Sequence, residues 1–280
     1  MPRFNTVAIL GVGLIGGSIG LGLRRRGLAG RVIGIGHRKE SLRVARERGA
    51  VDEATVDVAA GVAEADLVIV CTPVGRIVDD VRSAAANCRA GALITDVGST
   101  KAEIACAVAA GLPPGVAFIG SHPLAGSERS GPAAAEADLL VNRVVVVTPD
   151  ETARVEDLKS LVDFWSSLGA RVVRMSAVEH DQALAATSHL PHLVAAALAL
   201  ATPREVLALT ASGWADTTRV ASGDPELWRQ IFASNRAAVL TALVRFDETL
   251  AALRAALERQ NDDSLRQILA AAKERRDAVA

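Results

Sequence analysis

The segment Gly120-Ser121-His122-Pro123-Leu124-Ala125-Gly126-Ser127-Glu128 gathers an imidazole, two hydroxyls and a carboxylate in nine residues that also hold two glycines and a proline. Glycine and proline at that density favour an irregular loop over helix or strand, so these groups are not the polar stripe of a regular element. A surface turn in which His122 bonds only backbone is the alternative. Three further clusters carry reactive types. Asp96-Val97-Gly98-Ser99-Thr100-Lys101 follows a strand-like run, and Ser188-His189-Leu190-Pro191-His192 sets Ser188 and His192 four apart, on one helical face. Asp216-Thr217-Thr218-Arg219 and Trp228 interrupt an otherwise apolar region, where Arg219 alone reads equally as a surface or capping arginine. His189 and His192 have the spacing of a metal pair, but no carboxylate or third histidine stands beside them, and no metal is expected.

The elements that must hold these groups repeat strand, turn and helix. Val7-Ala8-Ile9-Leu10 is apolar throughout and runs into Gly11-Val12-Gly13-Leu14-Ile15-Gly16, then a helical stretch to Arg26. In that context GxGxxG is a dinucleotide fingerprint. Gly11 permits the tight turn, Gly13 lets backbone approach a pyrophosphate, and Gly16 lets helix pack on strand. Unpaired N–H groups of the helix start, at Leu14 and Ile15, face the phosphates. Residues 31–36, 67–71, 92–95, 116–119, 143–148 and 171–174 are further strand candidates with helices between most of them. The alternation predicts an α/β, doubly wound parallel sheet of Rossmann type, with Val144–Val147 internal to it. Downstream of Met175 only helical spacing recurs. The expected division is a dinucleotide-binding domain, 1–175, and an all-α substrate-binding and dimerisation domain, 176–280. The latter holds about five helices, broken near Pro203, Asp224-Pro225 and Asn261-Asp262-Asp263.

The second strand ends in Gly36-His37-Arg38-Lys39, without the acidic residue that holds ribose hydroxyls in NAD binders. His37, Arg38 and Lys39 are suited to a 2′-phosphate, so NADP is favoured over NAD, although Glu40 lies next in the chain. Thr72 and Pro73, just past the third strand, are expected to border the same cofactor. A histidine in a loop after the later strands is then placed to meet its reactive end.

Composition narrows the class. Half of the 280 residues are hydrophobic and the net charge is −1, which describes a folded chain without a field to attract nucleic acid. The basic triplet Arg24-Arg25-Arg26 closes a helix, where cations favour the dipole. No apolar run approaches the ~20 residues of a membrane span; residues 193–201 read as a buried helix, and no export signal opens the chain. Cys71, Cys88 and Cys106 stand singly in regular segments, as core or near-core residues and without a disulfide framework, which fits a reducing cytoplasm. Tyrosine is absent, excluding Tyr–Lys dehydrogenases. Residues 195–201 and 240–257 are more apolar than one short bundle hides, and a homodimer through the helical domain is expected.

Taken in order, GxGxxG, DVGSTK at 96–101, GSHPLAGSE at 120–128, SHLPH at 188–192 and DTTR at 216–219 resemble the prephenate/arogenate dehydrogenase family over nearly the whole chain. The resemblance implies a small-molecule substrate, a cyclohexadienol with a ring carboxylate opposite its hydroxyl. Hydride leaves the hydroxyl-bearing carbon for the nicotinamide, and loss of CO₂ restores an aromatic ring. It further implies that His122 is the base or acceptor for the hydroxyl, that Ser99 aligns His122, and that Arg219 clamps the ring carboxylate. Ser188 and His192 would contact substrate, Glu128 would gate the entrance, and Trp228 would pack beside Arg219. Prephenate is the favoured substrate, with arogenate as the alternative. A β-hydroxyacid dehydrogenase or imine-type reductase shares the layout but uses a helical lysine after the sheet; Lys39, Lys101, Lys159 and Lys273 all lie elsewhere. A non-catalytic NADP-binding regulator would bind cofactor without turnover.

Overall fold

A strand whose residues are nearly all apolar needs a layer on each face. In the computed structural model, which describes residues 4–109, 111–126 and 129–279, β1 (Phe4–Leu10) and β4 (Leu67–Val70) lie at the middle of such a sandwich. They join β2 (Ala29–Ile35), β3 (Glu53–Thr55), β5 (Leu93–Asp96) and β6 (Ala117–Phe118) in a six-stranded sheet of order β3-β2-β1-β4-β5-β6. Every neighbouring pair is parallel. The connecting helices are α1 (Leu14–Arg26), α2 (Lys39–Glu47), α3 (Val58–Val62), α4 (Ile77–Asn87) and α5 (Ala102–Ala109). Side chains alternate between faces. Val7, Ile9, Leu67 and Ile69 pack with Ile19 and Leu23 of α1, while Ala8, Leu10, Val68 and Val70 pack with Ile77, Val81 and Ala84 of α4. Leu10 is level with Val70, and Val70 with Asp96, so Gly11, Cys71 and Val97 leave the sheet side by side at its carboxyl edge. The strand order reverses between β1 and β4, the place where sheets of this kind bind ligands.

The basic triplet is structural. Arg24 pairs with Asp52, while Arg25 and Arg26 both reach Asp138 at 2.6 Å. Gly27 then ends α1 in the left-handed conformation, φ 61°, with its N–H returned to Arg24.

Two expectations are corrected in the second sheet. Residues 120–123, expected as loop, form the strand β7 (Gly120–Pro123). The valine run, expected inside the parallel sheet, is β8 (Val144–Thr148), the middle strand of a separate sheet of order β7-β8-β9, with β9 being Arg171–Arg174. β8 runs antiparallel to β7 and parallel to β9. The valines offer a stiff ladder, and pairing to it overrides the turn preference of Gly120 and Pro123. Pro123 is tolerated because β7 is an edge strand. Helix α6 (Val155–Ser167) sends Leu161, Phe164 and Trp165 into the α1-side core together with Val145 and Val147.

From Ala177 the described residues hold helices without strands. α7 (Ala177–Leu184) opens with a Ser176–Glu179 capping box and passes through a π-turn, Ala185–His189, into α8 (Leu190–Ala201). Then come α9 (Ser212–Thr218), α10 (Pro225–Ser234), α11 (Arg236–Glu258) and α12 (Asp262–Asp277). Asp224 caps α10 and Asn261 caps α12, at two of the expected breaks. The uninterrupted helix Ala177–Ala201 is, by length and composition only, apolar enough to cross a membrane, although polar residues break its apolar run. It carries His180, Asp181, His189 and His192 into the protein interior. Its end corrects another expectation: of residues 193–201 only Ala195 is buried, and Leu200 is 88% exposed. Among the described residues no other element covers Leu200. Cys106, expected near the core, is likewise exposed, because it falls on the outer side of α5.

Candidate active site

The glycine turn has the shape a pyrophosphate needs. Gly11 adopts φ 100°, and a Cβ there would lie 2.7 Å from the Cys71 carbonyl oxygen. A Cβ on Gly16 would overlap the Gly11 carbonyl and stand 3.0 Å from Ile9. A Cβ on Gly13 would meet nothing within 4 Å, so the face of the turn opens outward. Gly13 is also the N-cap of α1, without a side-chain cap and without acidic residues in the first turn. The N–H groups at Leu14 and Ile15 are thereby left to an anion. These residues fit the phosphates of a dinucleotide. Thr72 donates to Asp80 at 2.6 Å, and Pro73 stands exposed beside it. His37, Arg38 and Lys39 are exposed past the end of β2. Glu40 is engaged along α2 by Arg43.

His122 lies on β7, opposite Val146, at the carboxyl edge of the large sheet. β7 is anchored to β5 through side chains. The Ser121 hydroxyl, wholly buried, bonds Thr95 at 2.7 Å and accepts from the Trp165 indole at 3.0 Å, and the Ser121 N–H donates to Asp96. Asp96 also accepts from the Gly98 N–H and forms an ion pair with Lys101, both side chains sealed from solvent. Burial pulls the Lys101 ammonium below its ordinary pKa, and the Asp96 charge opposes that pull.

A chain of hydrogen bonds leads from the imidazole into the helical part. His122 Nδ1 is 2.9 Å from His180 Nε2, and His180 Nδ1 is 2.7 Å from Asp181 Oδ1. The Asp181 carboxylate accepts the N–H groups of Lys101 and Ala102, at 2.8 and 2.9 Å, where α5 begins. Asn235 donates to the Asp181 carbonyl at 2.7 Å and to His189 Nδ1 at 3.1 Å. Burial, reinforced by His180, Lys101 and His189, holds His122 well below the ordinary histidine pKa, so the ring is neutral. Burial likewise pushes His189 down to about 4 and lowers His192.

The other site candidates gather around α8. His192 is buried, its Nδ1 has no hydrogen-bond partner among the described residues, and Trp228 stacks on it at 3.6 Å and 15°. Trp228 therefore packs on His192, where the sequence pointed to Arg219. Ser188 is half-buried on the π-turn, a distortion common at functional sites. Arg219 is exposed on a 3₁₀ turn, Arg219–Ser222, that packs against α8. Ser99 is half-buried after β5; among the described residues its hydroxyl has no hydrogen bond, and the partner of His122 is His180. Glu128 lies outside the described residues. The structure thus links His122 to the face carrying His189, Trp228 and His192, and leaves His37, Arg38 and Lys39 at the far end of the cofactor turn. Sequence reasoning missed His180, Asp181, Asn235 and the Asp96–Lys101 pair. Only the last had a signal: opposite charges bracketing a glycine at a strand end.

Known proteins match along the whole length. The family model described as prephenate dehydrogenase, nucleotide-binding domain, matches residues 19–174, and that described as prephenate dehydrogenase, dimerization domain, matches residues 176–271. A prephenate dehydrogenase of Bacillus subtilis is 34% identical over 98% of this chain and 76% of the relative. The crystal structure of prephenate dehydrogenase from Aquifex aeolicus, in complex with hydroxyphenyl propionate and NAD+, superposes with a TM-score of 0.91 at 31% identity, covering 99% of this chain and 98% of that one. Arogenate dehydrogenase of Synechocystis gives a TM-score of 0.84 at 33% identity, covering 98% of this chain and 100% of that one. With a Rossmann-like nucleotide-binding sheet, a helical second half and this likeness end to end, the chain belongs to the prephenate dehydrogenase family and is an oxidoreductase.

Proposed function

We propose that this chain catalyses the oxidative decarboxylation of prephenate to 4-hydroxyphenylpyruvate, using NADP. The observation that carries the reading is a neutral, half-buried His122 at the same sheet edge as the glycine turn. When bound, the nicotinamide supplies the hydride acceptor. His122 Nε2 accepts a hydrogen bond from the ring hydroxyl and holds its proton as the hydroxyl-bearing carbon gives up hydride. The electrons of the ring–carboxylate bond stay in the ring as CO₂ departs, and the proton returns to the phenolic oxygen. Aromatisation drives the reaction, so these residues chiefly orient and polarise.

Arg219 is suited to both oxygens of the ring carboxylate, Ser99 to aligning His122 and the ring hydroxyl, Glu128 to gating the entrance, and Ser188 to the substrate from the helical side. The orphaned His192 Nδ1 favours a polar side chain on the substrate and supports prephenate. For the cofactor, the exposed Arg38 and Lys39, with Glu40 engaged by Arg43, support a 2′-phosphate.

An absorbance assay at the reduced-nicotinamide band, crossing prephenate and arogenate with NAD and NADP, tests substrate and cofactor together. Turnover with prephenate and NADP is expected to dominate; preference for arogenate or NAD would overturn the corresponding half. His122→Asn should lower kcat by about 10²–10⁴ while the fold survives, and near-normal turnover would remove His122 from the mechanism. We also propose a homodimer through the helices: α12 has no buried residue, and Leu200, Leu240 and Leu257 are exposed in the single chain. A light-scattering mass of one chain would refute it. Three free thiols support a reducing cytoplasm, which fractionation of the source cells would check.

A further inference from the structure

Two residues outside every motif read from the sequence, His180 and Asp181, stand behind His122 in a line whose proton positions are dictated. Asp181 is a carboxylate with both oxygens committed as acceptors to the N–H groups of Lys101 and Ala102 at the start of α5, where the helix end favours its negative charge. An acceptor 2.7 Å from a ring nitrogen requires a proton on that nitrogen, so His180 carries its hydrogen on Nδ1. With its hydrogen on Nδ1, His180 presents the Nε2 lone pair to His122. His122 Nδ1, 2.9 Å away, must in turn be the donor. One tautomer of His122 remains, with hydrogen on Nδ1 and the lone pair on Nε2.

We propose that His180 and Asp181 are positioning residues that lock His122 in its Nδ1–H tautomer, keeping Nε2 free to accept the hydrogen of a substrate hydroxyl. The opposite tautomer would present a donor to that hydroxyl and could not take its proton. The dyad also steadies the imidazolium formed when His122 holds that proton, because Nδ1–H still points at the His180 lone pair. The charged and titratable groups around the line are Asp96 and Lys101 from the sheet side and His189 from the π-turn. Asn235 donates to the Asp181 carbonyl and to His189 Nδ1, and among the described residues His180 is the side chain that bonds the Asp181 carboxylate. This inference rests on the proposed role of His122 as hydrogen acceptor.

The test uses the full chain labelled with ¹⁵N-histidine. Long-range ¹H–¹⁵N correlation at pH 8, with His122 assigned by its loss in His122→Asn, should show the Nδ1–H form in the wild type. Asp181→Asn keeps one carbonyl acceptor but sets an NH2 donor against the N–H of either His180 or Ala102, breaking the set of acceptors that fixes the line. It should shift the His122 signal toward the Nε2–H form and lower kcat by about 10²–10⁴, as a wrong tautomer does in comparable triads, with KM for prephenate and cofactor affinity changed less than a few-fold. A dominant Nε2–H tautomer in the wild type overturns the proposal whether or not the variant folds. Normal kcat in Asp181→Asn, with His122→Asn inactive, overturns the dyad while leaving the role of His122 intact. Full activity in His122→Asn removes both.

Discussion

Replacing Lys101 by methionine should destabilise the sheet half of the protein far more than any exposed charge change. Lys101 is 1% exposed and its partner Asp96 wholly buried, so the substitution leaves a carboxylate in a dry site with only the Gly98 and Ser121 N–H groups to satisfy it. Methionine nearly conserves volume, so the loss is electrostatic. Removing one member of a buried pair costs about 3–5 kcal/mol. At roughly 2–4 °C per kcal/mol for a domain of this size, Tm should fall by roughly 6–20 °C. Equilibrium urea unfolding at pH 8, followed by tryptophan fluorescence, reads the effect directly. Trp165 is fully buried and bonds Ser121, one hydrogen bond from Asp96. Lys273→Met, which removes an exposed ion pair with Asp277, should leave the midpoint where it was. A loss under 1 kcal/mol in Lys101→Met would refute the claim that the buried Asp96 charge depends on this partner.

Gly16→Ala, whose Cβ would overlap the Gly11 carbonyl, should weaken cofactor binding at least ~10-fold and cost about 1–3 kcal/mol; unchanged affinity in a fluorescence titration would separate the turn from the cofactor. Arg219→Ala should raise KM for prephenate with little change in kcat, and an unaltered KM would remove the carboxylate clamp. Acid should also weaken the fold through His189, which is neutral and held at about 4 when folded against 6.5 when free. Its contribution, roughly 3 kcal/mol, is complete above pH 6.5 and is lost as pH falls from 6.5 through 4, because the unfolded chain binds the proton first. Urea midpoints at pH 7.5 and 5 should differ less in His189→Gln than in the wild type, and an equal difference would count against it.

The parallel sheet was readable because its signals are local. Val7–Leu10 runs straight into the Gly11 turn, and burial on both faces makes a continuous apolar run the sole pattern needed. β7 was not readable, since Gly120, Ser121 and Pro123 are turn residues taken one at a time. Their strand exists because Val144–Thr148 lies beside them, and that pairing is set by the tertiary fold. His180 and Asp181 were hidden for a related reason. A histidine and an aspartate on a helix have many ordinary uses, and what makes them special is a partner 58 positions earlier and a helix end 79 positions earlier. The DVGSTK segment drew notice for Ser99, while its buried pair, Asp96 and Lys101, carries the structural weight.

The pairing of β7 with β8 constrains how this chain can change length. His122 and Ser121 point to opposite sides of a ribbon with a two-residue repeat, the hydroxyl locked into Thr95 and Trp165 and the imidazole turned toward His180. Inserting or deleting a single residue between Ile119 and Pro123 would exchange the two, sending serine to the reaction and histidine into the core. Length changes between Pro123 and Val144 leave that parity untouched, and are limited instead by the buried Ala134, Ala135 and Leu140 and by Asp138, which pairs with Arg25 and Arg26.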